Sequence, residues 1–120
     1  MHDAVFTRTF ALPSGRRVRL RLAGLRDRPA VEALLRERGV AAGDLDLHRL
    51  VCANPAERLV LAAFALVDGA ERLVGVGAID LAADADLDTL VVDERLAGGL
   101  GLLLGDVLRR RAAAHARRVA

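Results

Sequence analysis

Arg17-Val18-Arg19-Leu20-Arg21-Leu22 alternates strictly between polar and apolar, the period of a strand with one buried face. Phe6 to Leu12 reads as a strand before it, with Pro13-Ser14-Gly15 as the turn of an N-terminal hairpin. The period then becomes helical. Val31, Leu34 and Leu35 recur at helix spacing behind Arg26-Asp27-Arg28-Pro29, where Asp27 is expected to cap and Pro29 suits the first turn. Gly39 is expected to end this helix. Asp44 to Cys52 reads as a second short helix, closed by Asn54-Pro55. Three strands follow: Arg58 to Val67, Leu73 to Leu81 and Asp86 to Val92. Asp68-Gly69 is a hairpin signal between the first two, and Ala82-Ala83-Asp84 is the turn before the third. Gly75 and Gly77 leave part of the second strand bare. Leu100 to about Arg118 reads as the last helix, with Leu100, Leu103, Leu104, Val107, Leu108 and Ala112 as its buried stripe. The order β-β-α-α-β-β-β-α, with strands clustered in a meander, predicts an α+β class in one domain spanning residues 1–120.

Composition narrows this picture. The chain has 120 residues, of which 53% are hydrophobic, so a core of ordinary size is feasible and wholesale disorder is excluded. Phe6, Phe10 and Phe64 are the only aromatic residues, which leaves no stacking platform for single-stranded nucleic acid. The longest apolar run, Leu59 to Val67, is far shorter than the roughly 20 residues of a membrane span. Met1-His2-Asp3-Ala4 lacks the start of a signal peptide, and the single Cys52 permits no intrachain disulfide. These features predict a soluble cytoplasmic protein. All 18 basic residues are Arg, and the net charge is +2. Asp80, Asp84, Asp86, Asp88, Asp93 and Glu94 make the middle acidic, whereas Arg109, Arg110, Arg111, Arg117 and Arg118 make the C-terminus basic. Consecutive arginines spread around a helix, and cations near its C-terminus are favoured by the dipole, so a solvated face is expected there and no nucleic-acid partner. His2, His48 and His115 show no metal-ligand spacing with one another or with Cys52, so no metal is expected.

The chemistry-bearing segment is Leu90-Val91-Val92-Asp93-Glu94-Arg95-Leu96-Ala97-Gly98-Gly99-Leu100-Gly101. A strand enters a glycine-rich turn that opens into a helix. Glycines let backbone approach a ligand, and the first N–H groups of a helix favour anions. A P-loop is excluded because no Gly-Lys-Ser/Thr follows, and a dinucleotide fold is excluded because a meander precedes the turn. A tight connection with glycines for packing is the plainer alternative.

With its element order, this segment resembles the GNAT superfamily of acyl-CoA N-acyltransferases, from about Arg17 onward. In that family the turn carries Gln/Arg-x-x-Gly-x-Gly/Ala. Placing Gly99 and Gly101 on the family glycines puts Leu96 at the Gln/Arg position, whereas placing Arg95 there fits Gly98 and puts Leu100 where Gly or Ala belongs. The family fold also continues with a further strand and helix, which suggests a short or truncated member. The resemblance implies acetyl-CoA as acyl donor. Its pantetheine would lie along Leu90, Val91 and Val92, and its pyrophosphate on the N–H groups of Leu96, Ala97, Gly98, Gly99, Leu100 and Gly101, with Arg95 alongside. It implies transfer to a small-molecule or peptide amine, with Asp86 at the position of a general base whose pKa burial would raise. Asp86 and Asp88 are expected to share one strand face. The alternatives are a non-catalytic acyl-CoA-binding or interaction module, in which a homodimer covers the open edge of the last strand, and a fragment of a longer chain.

Overall fold

The elements form in the predicted order. The structure, a computed structural model, describes residues 7–82 and 86–119. The expected turn residues Ala83-Asp84, and Phe6 and His2, lie outside the described residues. Strands β1 (Arg8–Ala11) and β2 (Arg17–Leu22) form the hairpin. After a single 3-10 turn at Leu25–Asp27 come helices α1 (Arg28–Glu37) and α2 (Asp44–Val51). Strands β3 (Arg58–Val67), β4 (Ala70–Asp80) and β5 (Leu87–Val92) then lead to helix α3 (Leu100–Val119). Asp68 and Gly69 both adopt positive φ, 52° and 82°, as the expected tight hairpin requires. Strand β4 starts three residues earlier than its apolar pattern. Its polar beginning is held by the backbone ladder, with Ala70 opposite Val67 and Arg72 opposite Ala65.

The five strands lie in the order β1-β2-β3-β4-β5, every pair antiparallel, with β5 at an edge. Alternation along β3 splits the core in two. Val60, Ala62 and Phe64 face α1 and α2, where Val31, Leu34, Leu35, Leu47, Leu50 and Val51 are buried. Leu59, Leu61 and Ala63 face α3, where Leu100, Leu104 and Leu108 are wholly buried. Two register shifts interrupt the alternation. Ala63 pairs with Gly75 and Phe64 with Leu73, which leaves Val74 as an extra residue. Ala78 pairs with Thr89 and Ile79 with Leu87, which leaves Asp88 as another.

Asp27 stands at the N-cap position of α1, but its carboxylate makes no capping bond there. It turns inward instead, as a correction to the expected cap. Its two oxygens accept from Arg21 Nη2 and Nη1 at 2.7 and 2.8 Å, and Oδ2 also accepts from Gly24 N at 2.8 Å. Burial alone would raise its pKa, but Arg21 and the Gly24 N–H outweigh it and hold the carboxyl below its usual value. Arg21 also stacks on the Phe64 ring, 4.4 Å from its centroid.

The bare stretch of β4 has a packing purpose. A Cβ at Gly75 would stand 2.8 Å from Leu100 Cδ2, and one at Gly77 would stand 2.8 Å from Leu108 Cδ1 and 3.2 Å from Leu104. Three leucines of α3 therefore rest directly on the strand backbone. Gly77→Ala would stiffen the unfolded chain, a gain of about 0.4–1 kcal/mol. Its methyl would also press on the wholly buried side chains of Leu104 and Leu108, which would have to shift, at a cost of about 1–3 kcal/mol. The expected outcome is net destabilisation, measured as a lower urea midpoint at unchanged slope; a raised midpoint would refute the packing account.

Candidate functional site

Strand β5 pairs with β4 on one side, and among the described residues no strand pairs with its other side. Asp93 N donates to Val74 O at 2.8 Å, and Val91 lies opposite Val76. In an antiparallel ladder the bonded residues alternate. The N–H and C=O of Val91 therefore face β4, while those of Leu90 and Val92 face the open edge. Val91 packs its side chain toward α1, Val92 packs toward α3, and Leu90 is 42% exposed. Of the three residues expected beside a ligand, Leu90 and Val92 offer backbone groups and Val91 offers none.

The edge leads into the glycine turn, whose N–H groups are mostly committed. Asp93, 4% exposed, accepts through Oδ1 from Arg95 N at 3.2 Å and Leu96 N at 3.3 Å. Its carbonyl accepts from Ala97 N at 3.0 Å, and Leu100 N donates to Ala97 O at 3.1 Å. Glu94 reaches forward, and its Oε2 accepts from Gly99 N at 3.0 Å. Gly99 has φ 92°, and a Cβ there would touch Pro13 at 3.0 Å, so the turn is seated against the first hairpin. Not every N–H from Leu96 to Gly101 is open in this structure. Those of Leu96, Ala97, Gly99 and Leu100 have internal acceptors, and those of Gly98, Gly101 and Leu102 have none among the described residues. Ala97 and Leu100 are core residues, and Arg95 is exposed. The physical reason is that a helix N-terminus attracts carboxylates as it does phosphates, and this chain supplies two next to it.

Asp86 and Asp88 do not share a face, because the extra residue in β5 breaks the alternation. Asp86 is exposed. Its Oδ1 accepts from Leu87 N at 2.7 Å and from Arg109 Nε, on α3, at 2.9 Å. The Leu87 N–H first, and Arg109 second, hold its pKa below the usual carboxylate value. This is the reverse of the burial-raised pKa expected of a base. Asp88 turns to the other side of the sheet. Arg58 Nη2 donates to its Oδ1 at 2.8 Å and Nη1 to its Oδ2, and Thr89 Oγ1 donates at 2.9 Å. Arg58 lowers the Asp88 pKa most. Arg58 itself is 8% exposed and also bonds Asp80 Oδ1 at 3.0 Å and the carbonyl of Arg49 at 3.3 Å. The acids in turn raise its own pKa, with Asp88 the largest cause. Sequence reading missed Arg58. Its one signal was a cation at the head of an otherwise unbroken apolar strand.

Asp88 and Thr89 are consecutive, yet both line one cavity of about 270 Å³, closed by Leu35, Val40, Asp46 and Arg49 from α1, α2 and the segment between them. His48 and Cys52 are exposed and line none of it. Arg109 pairs with Asp86, and Arg110 with Asp106 at 2.9 Å. Among the described residues no group of three His, Cys, Asp or Glu side chains could hold a metal ion, and no helix is long and apolar enough to cross a membrane.

No protein-family model and no curated protein matches the sequence. The fold does have a solved counterpart, the crystal structure of the GNAT domain of S. lividans PAT. The two superpose with a TM-score of 0.69 at 19% identity, over 98% of this chain and 76% of that one. The α+β architecture of hairpin, helix pair, meander, glycine turn and long helix is therefore a GNAT-like fold.

Proposed function

We propose that this protein binds an acyl-CoA along the open edge of β5 and transfers the acyl group to an amine. The observation that carries the reading is continuity. The outward N–H and C=O groups of Leu90 and Val92 run directly into the uncommitted N–H groups of Gly98, Gly101 and Leu102. An amide-bearing pantetheine arm can add to a sheet edge as a strand does. The N–H groups at the start of α3 suit a diphosphate. The likeness in fold to a GNAT domain supports the same placement. The reading brings a cytoplasmic setting with it, because acyl-CoA is a cytoplasmic metabolite. A homodimer paired along β5 would use the same backbone groups, so it and the acyl donor exclude each other.

The chain's residues have distinct duties in this reaction. The Val92 N–H polarises the thioester carbonyl oxygen. The cavity beside Asp88 and Thr89 holds the amine. The amine nitrogen bonds to the carbonyl carbon, the carbon–sulfur bond breaks, and the nitrogen's proton leaves for solvent as the thiol is released. Solvent takes the proton because Asp86 and Asp88 are both ion-paired with lowered pKa values. That same observation favours a second reading, acyl-CoA binding without turnover.

Isothermal titration with acetyl-CoA is expected to give saturable heat, and a thiol-release assay over a panel of amines then separates the two readings. No heat and no thermal shift at millimolar ligand would sink both. Glu94→Ala frees the Gly99 N–H and removes a negative charge from the diphosphate seat. It is expected to tighten acetyl-CoA binding by about three- to tenfold while costing about 0.3–1 kcal/mol of stability. Unchanged or weaker binding in this variant would show that the diphosphate lies elsewhere.

A further inference from the structure

The cavity beside Asp88 and Thr89 is walled by charges of both signs. Asp46 and Arg49 come from α2, Arg58 from the start of β3 and Asp88 from β5. Arg58 is committed to the protein itself, because Asp80, Asp88 and the Arg49 carbonyl all accept from it. The other three keep capacity for a ligand. Asp46 Oδ2 accepts from Gly43 N at 3.0 Å, and its Oδ1 has no donor among the described residues. Asp88 Oδ2 accepts from Arg58 Nη1 and has a second lone pair to offer. The Arg49 guanidinium has no acceptor among the described residues. Asp46 and Arg49 stand three residues apart on one helix, a spacing at which opposite charges can pair. No ion pair joins them here, and both line the cavity.

Spare acceptors and spare donors on one wall set the charge of the ligand that fits. A plain amine would satisfy the two carboxylates and leave Arg49 without a partner. A plain carboxylate would do the reverse. A molecule that carries an ammonium and a carboxylate satisfies both with charge-assisted hydrogen bonds. The rest of the wall is apolar, with Leu35 and Leu50 buried beside Val40. The volume of about 270 Å³ equals that of roughly nine waters at about 30 Å³ each. That is room for one small zwitterion with an apolar side chain.

We infer that this cavity takes a free α-amino acid with an aliphatic side chain. Its ammonium lies toward Asp46 and Asp88, its carboxylate toward Arg49, and its side chain against Leu35, Val40 and Leu50. The role of this amino acid as acceptor rests on the acyl transfer proposed above. The ammonium first gives a proton to solvent. The neutral nitrogen then bonds to the acyl carbon and the carbon–sulfur bond breaks. A second nitrogen proton leaves as the sulfur takes one up, so the products are an N-acyl amino acid and the free thiol.

The test uses the full chain without acyl-CoA, titrated calorimetrically with four compounds. They are L-leucine, 3-methylbutylamine (leucine without its carboxylate), 4-methylpentanoate (leucine without its ammonium) and glycine. Leucine is expected to saturate, and each of the others to bind about tenfold more weakly or worse. Arg49 is exposed on α2, so Arg49→Gln is expected to fold as the parent does. It is expected to weaken leucine about tenfold and to leave 3-methylbutylamine unchanged. Arg110→Gln is expected to alter neither. The inference is overturned if leucine does not saturate, if 3-methylbutylamine or glycine binds as tightly as leucine, or if Arg49→Gln weakens leucine and 3-methylbutylamine alike. Heat with acetyl-CoA and none with leucine strikes this inference alone. Heat with leucine and none with acetyl-CoA keeps the amino-acid site and strikes the transfer.

Discussion

The contact of Leu100, Leu104 and Leu108 with the bare backbone of β4 at Gly75 and Gly77 positions everything else. Close approach of a helix to a strand needs glycine on one side and large apolar side chains on the other. Once the leucines are seated, the start of α3 is fixed beside the end of β5. The connection between them must then be short, and Gly99 at φ 92° closes it against Pro13. The run from the edge of β5 into the turn, with N–H groups at Gly98, Gly101 and Leu102 that have no acceptor among the described residues, follows that packing. A glycine pair in one strand thereby sets the geometry of the candidate site on its neighbour.

Electrostatics then decides what the site offers. The acidic middle of the chain does not remain a field of free carboxylates. Asp93 and Glu94 satisfy turn N–H groups, Asp88 is held by buried Arg58, and Asp86 is held by Arg109. Each pairing removes a group that could otherwise bind an anion or take a proton. The arrangement suits a site built from backbone donors more than one built around a catalytic carboxylate. On α3, Arg109 and Arg110 are held by acids in the same way, Arg109 by Asp86 and Arg110 by Asp106.

Much of the fold was legible because it rests on local periods. The alternation at Arg17–Leu22, the Asp68-Gly69 turn and the leucine stripe of α3 each imply their element directly. What stayed hidden was non-local. Asp88 and Arg58 lie 30 residues apart, and nothing near either one announces the pair. The extra residue in β5 is invisible in a strand pattern, so Asp86 and Asp88 looked like partners on one face when they lie on two. Asp27 reads as a cap by its position, but Arg21 on the preceding strand competes for its carboxylate and wins. In the turn, the glycines were visible as an anion cradle. That Glu94 would reach Gly99 N depended on a backbone bend that residue types alone do not specify.

The most direct test of the central claim is the backbone amide spectrum of the isotope-labelled protein during titration with acetyl-CoA. Shifts are expected at Leu90 and Val92, whose N–H groups face the open edge, and at Gly98, Gly101 and Leu102. The Val91 amide, bonded toward β4, is expected to move least of the β5 residues. Saturable binding with shifts confined to other regions, or with Val91 moving more than Leu90 and Val92, would contradict a ligand lying along this edge.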